Sequence, residues 1–270
     1  MRFACSIRAW PAPVRHHLVM TLVPWSRTTP PGDILLFRHL TSTVAALTVA
    51  QLVLFAVSQA AATPLVAPTV IELFQSQGCS SCPPANANIN ALADRPDLLV
   101  LSFGVTYWDQ LGWRDTFASP QNTRRQYDYR DGLHRDNVAT PQVVINGRID
   151  VVGVDRTRLD QAISRAGAIP ALITHSSGRI QIAASARRPA NPADVWLVRY
   201  DPRVQQVSIR RGENGGRTLP HRHIVRQLSR LGAWTGSAQS YVIPPQSDPA
   251  LRTAVLVQTR GGPILTAASL

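Results

Sequence analysis

The chain has 270 residues, 44% of them hydrophobic, which is enough to bury one large core or two modest ones. Its formal charge of +12 would ordinarily indicate an anionic partner, but the 28 basic residues are all arginine and lie scattered among acidic residues. No arginine cluster is interleaved with stacking aromatic residues, so we do not expect nucleic-acid binding.

We interpret residues 1–62 as an export signal region. Arg38 and His39 precede an uncharged stretch whose apolar centre covers residues 44–57, and small residues follow it up to Ala62. This centre is shorter than the ~20 residues that a membrane-spanning helix needs. We therefore expect a cleaved signal peptide, no membrane span in the mature form, and a location in the periplasm or outside the cell. An uncleaved anchor and a later start of translation are the alternatives.

Residues 63–169 alternate between predicted strands and helices. Residues 69–74 form a compact β-branched and aromatic run that predicts a buried strand, and residues 98–105 predict a second one. Between them a helix is expected to start at Pro83 and Pro84, because proline fits the first turn of a helix. We expect this helix to end before Pro96.

The next elements complete the predicted order β-α-β-α-β-β-α. A helix is expected over residues 119–133, which begin with a Ser-Pro pair. The strands 142–145 and 149–152 are joined by Asn146-Gly147, a strong signal for a tight hairpin. Asp155 is the expected N-cap of a last helix that ends at Gly167.

Residues 170–270 have a different texture. Short alternating segments are separated by Gly, Pro and Asp turns, which predicts a smaller β-rich C-terminal domain with its boundary near Pro170. One helix is expected within it, over residues 222–234, with His221 and His223 on the surface at its start. The fold class is therefore α/β, with a mixed first domain followed by a β-rich second one.

Cys79 and Cys82 form a CxxC motif directly after the first predicted strand. A cysteine at a helix N-cap faces unpaired backbone N–H groups and the positive end of the helix dipole, and both favour the thiolate. We expect Cys79 at that position, with Cys82 one turn along and close enough to form a reducible disulfide and to resolve a mixed disulfide. A loop this short gains little closure entropy, which disfavours a purely structural clasp.

Thr140-Pro141 precedes the predicted hairpin. In a β-α-β-α-β-β-α domain this bond is expected opposite the CxxC motif, and a cis X-Pro bond, found at ~5–6% of such positions, usually marks a shaped turn. With Pro141 in cis, the backbone of Thr140 would offer its N–H and C=O to an extended substrate beside the sulfurs. We therefore place Thr140 among the substrate-binding residues.

Several motifs together resemble one family. ELFQSQGCSSCPPA, YWDQLGW, TPQVVING and GENGGRTL are similar to the DUF1223 family of secreted bacterial proteins, and residues 69–168 resemble a thioredoxin-like domain. The resemblance implies a thioredoxin-like fold with a β-rich extension; the family's biochemical function is unassigned. By similarity to thioredoxins, Cys79 matches the attacking cysteine, Cys82 the resolving one and Pro141 the cis-proline.

Two departures from thioredoxins concern the surroundings of the cysteines. Glu72 is the only candidate for the buried acid that moves protons at the resolving cysteine, and the strand's period of two leaves open whether it points at Cys82 or at solvent. Gly78 replaces the usual aromatic residue. Tyr107 and Trp108, after the second strand, form either a packed cap over the core or a wall of the substrate groove.

The resulting hypothesis is an exported thiol–disulfide oxidoreductase-like protein whose partner is a protein or a small thiol or disulfide. No bound cofactor is needed, because the electrons pass through the sulfurs. One alternative is a periplasmic copper or zinc chaperone, in which a histidine joins the two cysteines. Its histidine candidates are His134, His175, His221 and His223. The other alternative is a non-catalytic thioredoxin-fold module that binds peptides.

Overall fold

The protein is described by a computed structural model that covers residues 66–270, so the predicted signal region lies outside the described residues. The described strands are β1 (Thr69–Gln75), β2 (Leu98–Gly104), β3 (Gln142–Ile145), β4 (Ile149–Val151), β5 (Ile173–Ser176), β6 (Arg179–Ile182), β7 (Ala193–Asp201), β8 (Gln205–Ser208), β9 (Thr218–His221), β10 (Ile224–Trp234), β11 (Gln239–Val242), β12 (Arg252–Gln258) and β13 (Ile264–Ser269). The described helices are α1 (Cys82–Asn90), α2 (Pro120–Gly132) and α3 (Arg156–Arg165), with a 3-10 turn at Asp109–Leu111. None of the helices in this part of the chain is long and apolar enough to cross a membrane.

A large mixed sheet organises the fold, in the strand order β13-β12-β7-β10-β2-β1-β3-β4. β1 and β2 are parallel, from the Thr69–Leu98 pair to the Gln75–Gly104 pair, and β3 pairs with β1 in the antiparallel direction. β10 continues the sheet beside β2, with Ile224 opposite Ser102. Two smaller sheets, β11-β6-β5 and β8-β9, complete the strand pairings. The protein is thus a mixed α/β fold with few helices.

The domain boundary predicted near Pro170 lies between strands that belong to the same large sheet. β7, β10, β12 and β13 all follow residue 170, yet they lie in the same sheet as β1 to β4. Residues 170–270 are rich in strands, as expected from their sequence, and these strands extend the sheet that the preceding residues begin. The described residues 66–270 accordingly form one compact unit.

The predicted element order β-α-β-α-β-β-α is confirmed for residues 69–165. The N-caps behave as their residue types predict: Ser119 Oγ accepts the Asn122 N–H at 3.1 Å, and Asp155 Oδ1 accepts the Arg158 N–H at 3.0 Å. Asn146 lies at a φ of 48° in the tight link between β3 and β4, as an Asn-Gly turn requires.

The helix predicted over residues 222–234 is wrong, because this segment is the strand β10. Its apolar residues recur at a helical spacing, and the strand accommodates them with two bulges, between Val225 and Gln227 and between Arg230 and Gly232. Each bulge adds a residue to one strand and shifts the alternation of side chains between the two faces of the sheet. His221, the last residue of β9, and His223, directly before β10, were expected on the surface but are buried.

The two faces of β1 pack against different helices. Ile71 and Leu73 belong to a core cluster with Ile89 of α1 and Leu159 of α3. Val70 and Phe74 belong to a second cluster, which includes Tyr129 of α2, and the Phe74 and Tyr129 rings meet edge to face at 5.9 Å. Because side chains alternate along a strand, Glu72 lies on the α2 side of the sheet, away from α1.

Candidate functional site

The two cysteines lie in a tight turn between β1 and α1, which we call the cysteine turn (residues 79–82). The Cys79 N–H donates to Ser76 O at 3.1 Å, and the Cys82 N–H donates to Cys79 O at 3.2 Å. α1 begins at Cys82, and its N-cap is Ser81 rather than Cys79 as predicted. The two prolines that follow Cys82 lack N–H groups and are confined to the first turn, which places the cap directly before Cys82.

Both cysteines are buried free thiols, and their environments differ. The Cys82 side chain hydrogen-bonds Cys79, Cys79 Sγ lies 3.2 Å from Ser81 Oγ, and together these contacts lower the pKa of Cys79 to about 6 against the opposing effect of burial. Burial, followed by the neighbouring Cys79, raises the pKa of Cys82 well above its ordinary value. The pair is therefore asymmetric: its surroundings favour the thiolate on Cys79 and the thiol on Cys82.

The turn before β3 reaches the same place. Cys79 Sγ contacts the Thr140 carbonyl oxygen at 3.7 Å, and Ser81 Oγ–H donates to that oxygen at 3.4 Å. The Thr140–Pro141 peptide bond is cis, as predicted, and Thr140 Oγ1 is buried without a hydrogen-bond partner. The structure thus brings the two cysteines, Thr140 and Pro141 together.

The aromatic loop after β2 flanks the cysteine turn. Trp108 lies beside Gly78, whose missing side chain would stand 3.9 Å from Trp108 Cβ. The Tyr107 hydroxyl donates to Gln126 Oε1 at 3.1 Å, and burial raises the pKa of this phenol. Tyr107 and Trp108 are both half-buried and pack against the core, as expected for a cap over it, and Trp108 also lies beside the segment that leads into the cysteine turn.

Glu72 does not join the cysteines. Its carboxylate is fully buried, accepts the Arg125 Nε–H at 2.6 Å and accepts the hydroxyl hydrogen of Tyr129. These partners lie on α2, whereas Cys82 lies on α1 on the other side of β1. Glu72 therefore makes no contact with Cys82 that would support the predicted role as its proton carrier.

The segment that leads into the cysteine turn is held by hydrogen bonds to the loop that follows β2, residues 105–118. Asp115 Oδ2 accepts the Gln77 backbone N–H at 2.8 Å, and Trp113 Nε1–H donates to Gln77 Oε1 at 2.9 Å. Burial raises the pKa of the Asp115 carboxyl to about 6. Gln77 thus connects the backbone before Cys79 to Trp113 and Asp115, which lie in the loop that follows β2.

Two residues of the site were missed from the sequence, Glu213 and Asn214 of the GENGGRTL motif. Asn214 is fully buried, and its Nδ2 donates to Gln77 O and Cys79 O, each at 2.9 Å. Glu213 Oε2 accepts both the backbone N–H of Ser80 at 3.0 Å and its hydroxyl at 2.7 Å. The motif itself was visible, but nothing in its local pattern indicated which distant segment it would contact.

A buried polar cluster lies one helical turn beyond Cys82. His221 Nδ1 lies 3.2 Å from Gln75 Nε2 and 3.5 Å from Asn86 Nδ2, and burial lowers the pKa of this imidazole to about 4. His134 and His175 are exposed. Within residues 66–270, no group of three or more His, Cys, Asp or Glu side chains is arranged to hold a metal ion.

Comparisons with known proteins identify relatives of this chain. The family model described as "Protein of unknown function (DUF1223)" matches residues 70–258. The crystal structure of protein AGR_C_4864 from Agrobacterium tumefaciens is similar at 33% identity and a TM-score of 0.62, over 76% of this chain and 94% of that one. HBP35 of Porphyromonas gingivalis shares the fold, with 11% identity and a TM-score of 0.54, over 76% of this chain and 75% of that one. No functionally curated protein matches the sequence at a significant level. By its match over most of the chain, the protein belongs to the DUF1223 family.

Proposed function

We propose that this protein is a thiol–disulfide oxidoreductase with a thioredoxin-like fold, acting in the periplasm or outside the cell on a protein or small-molecule disulfide. The single observation that carries the proposal is the asymmetry of the cysteine pair. The pKa of Cys79 is lowered to about 6, while that of its neighbour Cys82 is raised, which is the division of labour between an attacking thiolate and a resolving thiol.

The reaction follows from this asymmetry. The Cys79 thiolate attacks one sulfur of a partner disulfide, which forms a mixed disulfide and releases the other partner sulfur as a thiolate. Cys82 then loses its proton to the released thiolate and attacks the Cys79 sulfur, which releases the second partner sulfur as a thiolate. The partner gains two electrons, with one proton from Cys82 and one from the solvent, and Cys79–Cys82 becomes a disulfide. The reverse sequence oxidises a dithiol partner.

The surroundings of the sulfurs support an extended or small partner. Thr140 places its carbonyl oxygen beside Cys79, and an extended peptide has backbone N–H groups that such an oxygen can accept. Cys79 is covered on all sides, whereas Ser80 and Ser81 are exposed. A partner would therefore approach over the two serines and displace part of the cover before reaching the sulfur.

The test is a redox titration of the full chain in glutathione buffers, with the Cys79–Cys82 disulfide quantified by thiol alkylation and mass. We expect a midpoint between about −120 and −270 mV, the range of exchange-active pairs. A disulfide that stays closed below about −300 mV would behave as a structural clasp and would overturn the proposal. The Cys82→Ser variant should accumulate a mixed disulfide with glutathione at Cys79, and the Cys79→Ser variant should not form one at Cys82.

A further inference from the structure

The cysteine turn is held by a segment more than a hundred residues away along the chain. We call residues 212–216 the GENGG loop; it connects β8 and β9. Asn214 and its contact Gln77 are 137 positions apart, and Asn214 and Cys79 are 135 positions apart. The C-terminal half of the chain therefore contributes directly to the backbone geometry of the cysteine pair.

The GENGG loop is ordered by its own hydrogen bonds. The Gly215 N–H donates to Gly212 O at 3.0 Å, and the Gly216 N–H donates to Ile209 O at 2.8 Å. Gly212 and Gly216 have φ values of +75° and +80°, which only glycine adopts without strain. The loop is thus a compact turn with hydrogen bonds of its own, and it directs the side chain of Asn214 toward the cysteine turn.

The chemistry of Asn214 matches its two acceptors. One amide nitrogen carries two hydrogens, and they serve two carbonyl oxygens, those of Gln77 and Cys79, at 2.9 Å each. Arg217 Nη1–H donates to Asn214 Oδ1 at 2.7 Å, which orients the amide so that its nitrogen faces the turn. The Cys79 oxygen is also the acceptor that closes the turn, because it accepts the Cys82 N–H at 3.2 Å.

We propose that Asn214 is a positioning residue for Cys79: it holds the backbone on both sides of Gly78 so that Cys79 Sγ stays within reach of Cys82 and Ser81. This inference rests on the proposed function, because it concerns the residue that would act as the attacking thiolate. Glu213 reinforces the arrangement by accepting both donors of Ser80. Without Asn214, two buried carbonyl oxygens would lose donors, and the turn could relax to geometries in which the thiolate is less well solvated by its neighbours.

The test measures the alkylation of Cys79 by iodoacetamide from pH 4 to 9 in the full chain, with the modified residue identified by peptide mass. The pH midpoint reports the thiol pKa, whereas a change in accessibility scales the whole profile. For Asn214→Ala we expect the midpoint to rise by about one unit, so the rate at pH 5 relative to the plateau falls about tenfold. The matched control is Asn88→Ala, because Asn88 Nδ2 also donates to two backbone carbonyls, at 2.9 and 3.0 Å, away from the sulfurs.

A second variant keeps the test decisive if Asn214→Ala does not fold. Arg217 is exposed, and Arg217→Met removes only the bond that orients the Asn214 amide. We expect a smaller rise of the Cys79 midpoint, about threefold in relative rate at pH 5. Arg211→Met, which removes an exposed charge of the same sign beside the same loop, should leave the midpoint unchanged.

An unchanged midpoint in a folded Asn214→Ala protein would overturn the inference, and so would equal midpoints in Arg217→Met and Arg211→Met if Asn214→Ala fails to fold. These outcomes are separable from failure of the proposed function. The alkylation profile depends only on the state of the Cys79 thiol, whereas the proposed function is decided by the glutathione midpoint of the wild-type disulfide.

Discussion

The buried ion pair between Glu72 and Arg125 can be used to distinguish a structural role of Glu72 from a catalytic one. Glu72 is completely buried and the Arg125 side chain is 6% exposed, with 2.6 Å between Oε1 and Nε. Arg125 also lies over the Phe103 and Tyr129 rings, at 5.7 and 5.2 Å from their centroids. The perturbation we choose is Arg125→Met, which keeps much of this packing volume and removes the positive charge that compensates Glu72.

The expected loss of stability follows from the geometry. Two unit charges 2.6 Å apart attract each other by about 6 kcal/mol at an effective dielectric constant of 20. Much of this attraction offsets the desolvation of the two groups, so removing one partner of a buried pair costs about 3 to 5 kcal/mol. We expect Arg125→Met to lower the free energy of unfolding by that amount, because the Glu72 carboxylate is left buried without a cation.

The assay is urea unfolding of the full chain at pH 7, followed by tryptophan fluorescence. With an m-value of about 2 kcal/mol per M, the midpoint should fall by about 1.5 to 2.5 M. The control Arg124→Met removes an exposed charge from the adjacent position of α2 and should change stability by less than about 0.5 kcal/mol. The double variant Glu72→Gln, Arg125→Met should be more stable than Arg125→Met alone, since no unpaired buried charge remains.

Two results would refute this reasoning. A loss of less than about 1 kcal/mol in Arg125→Met would mean that the pair contributes little to the folded state. Alternatively, Glu72→Gln could leave the urea midpoint unchanged and still shift the alkylation midpoint of Cys79. That result would assign Glu72 to the cysteines despite its position on the opposite face of β1.

Three further predictions concern other parts of the fold. Burial lowers the imidazole pKa of His221 to about 4, so between pH 7 and 4 the unfolded wild-type chain binds more protons than the folded one, and the folded state loses stability. In urea titrations, the His221→Gln variant should therefore lose about 3 kcal/mol less of its free energy of unfolding over this pH range than the wild type does. Glu213→Gln keeps an oxygen that can accept from Ser80 and removes a negative charge beside the cysteine turn, so alkylation profiles should show the pKa of Cys79 lowered by about half a unit; a rise would show that the hydrogen bonds to Ser80 outweigh the charge. Gly132→Ala should lower the free energy of unfolding by about 2 kcal/mol or more in urea titrations, because an added Cβ would overlap the carbonyl oxygen of Gly261; wild-type stability would show that the close contact is relieved without cost.

Local patterns were sufficient for the elements that carry the cysteines. β1 and β2 are buried on both faces and are rich in β-branched and other large apolar residues, with Glu72 as the charged exception in β1, and the Asn146-Gly147 pair predicted the hairpin of β3 and β4. The cap of α1 was misplaced by two residues, because Cys79 and Ser81 both precede a proline-started helix and only the hydrogen bonds of the turn distinguish them.

The failures share a physical cause, which is dependence on contacts that are remote in sequence. β10 contains two bulges, and its apolar residues Ile224, Leu228 and Leu231 have a spacing that matches a helix better than a strand. Which of these periods applies is decided by pairing with β7 and β2, not by the segment itself. Asn214 is a similar case, since its partners are carbonyl oxygens and any residue can supply those.

The position of β10 beside β2 has a consequence for fragments of this protein. β10 pairs with β2 at Ile224 and Ser102, and a chain ending near residue 169 would lack it and leave β2, with its seven buried residues LLVLSFG, as the edge strand of the sheet. An exposed, apolar, uncharged edge strand is a template for intermolecular pairing and aggregation. The residues up to 169 should thus aggregate when they are expressed alone. A soluble fragment of this protein has to include β10, which covers the edge of β2.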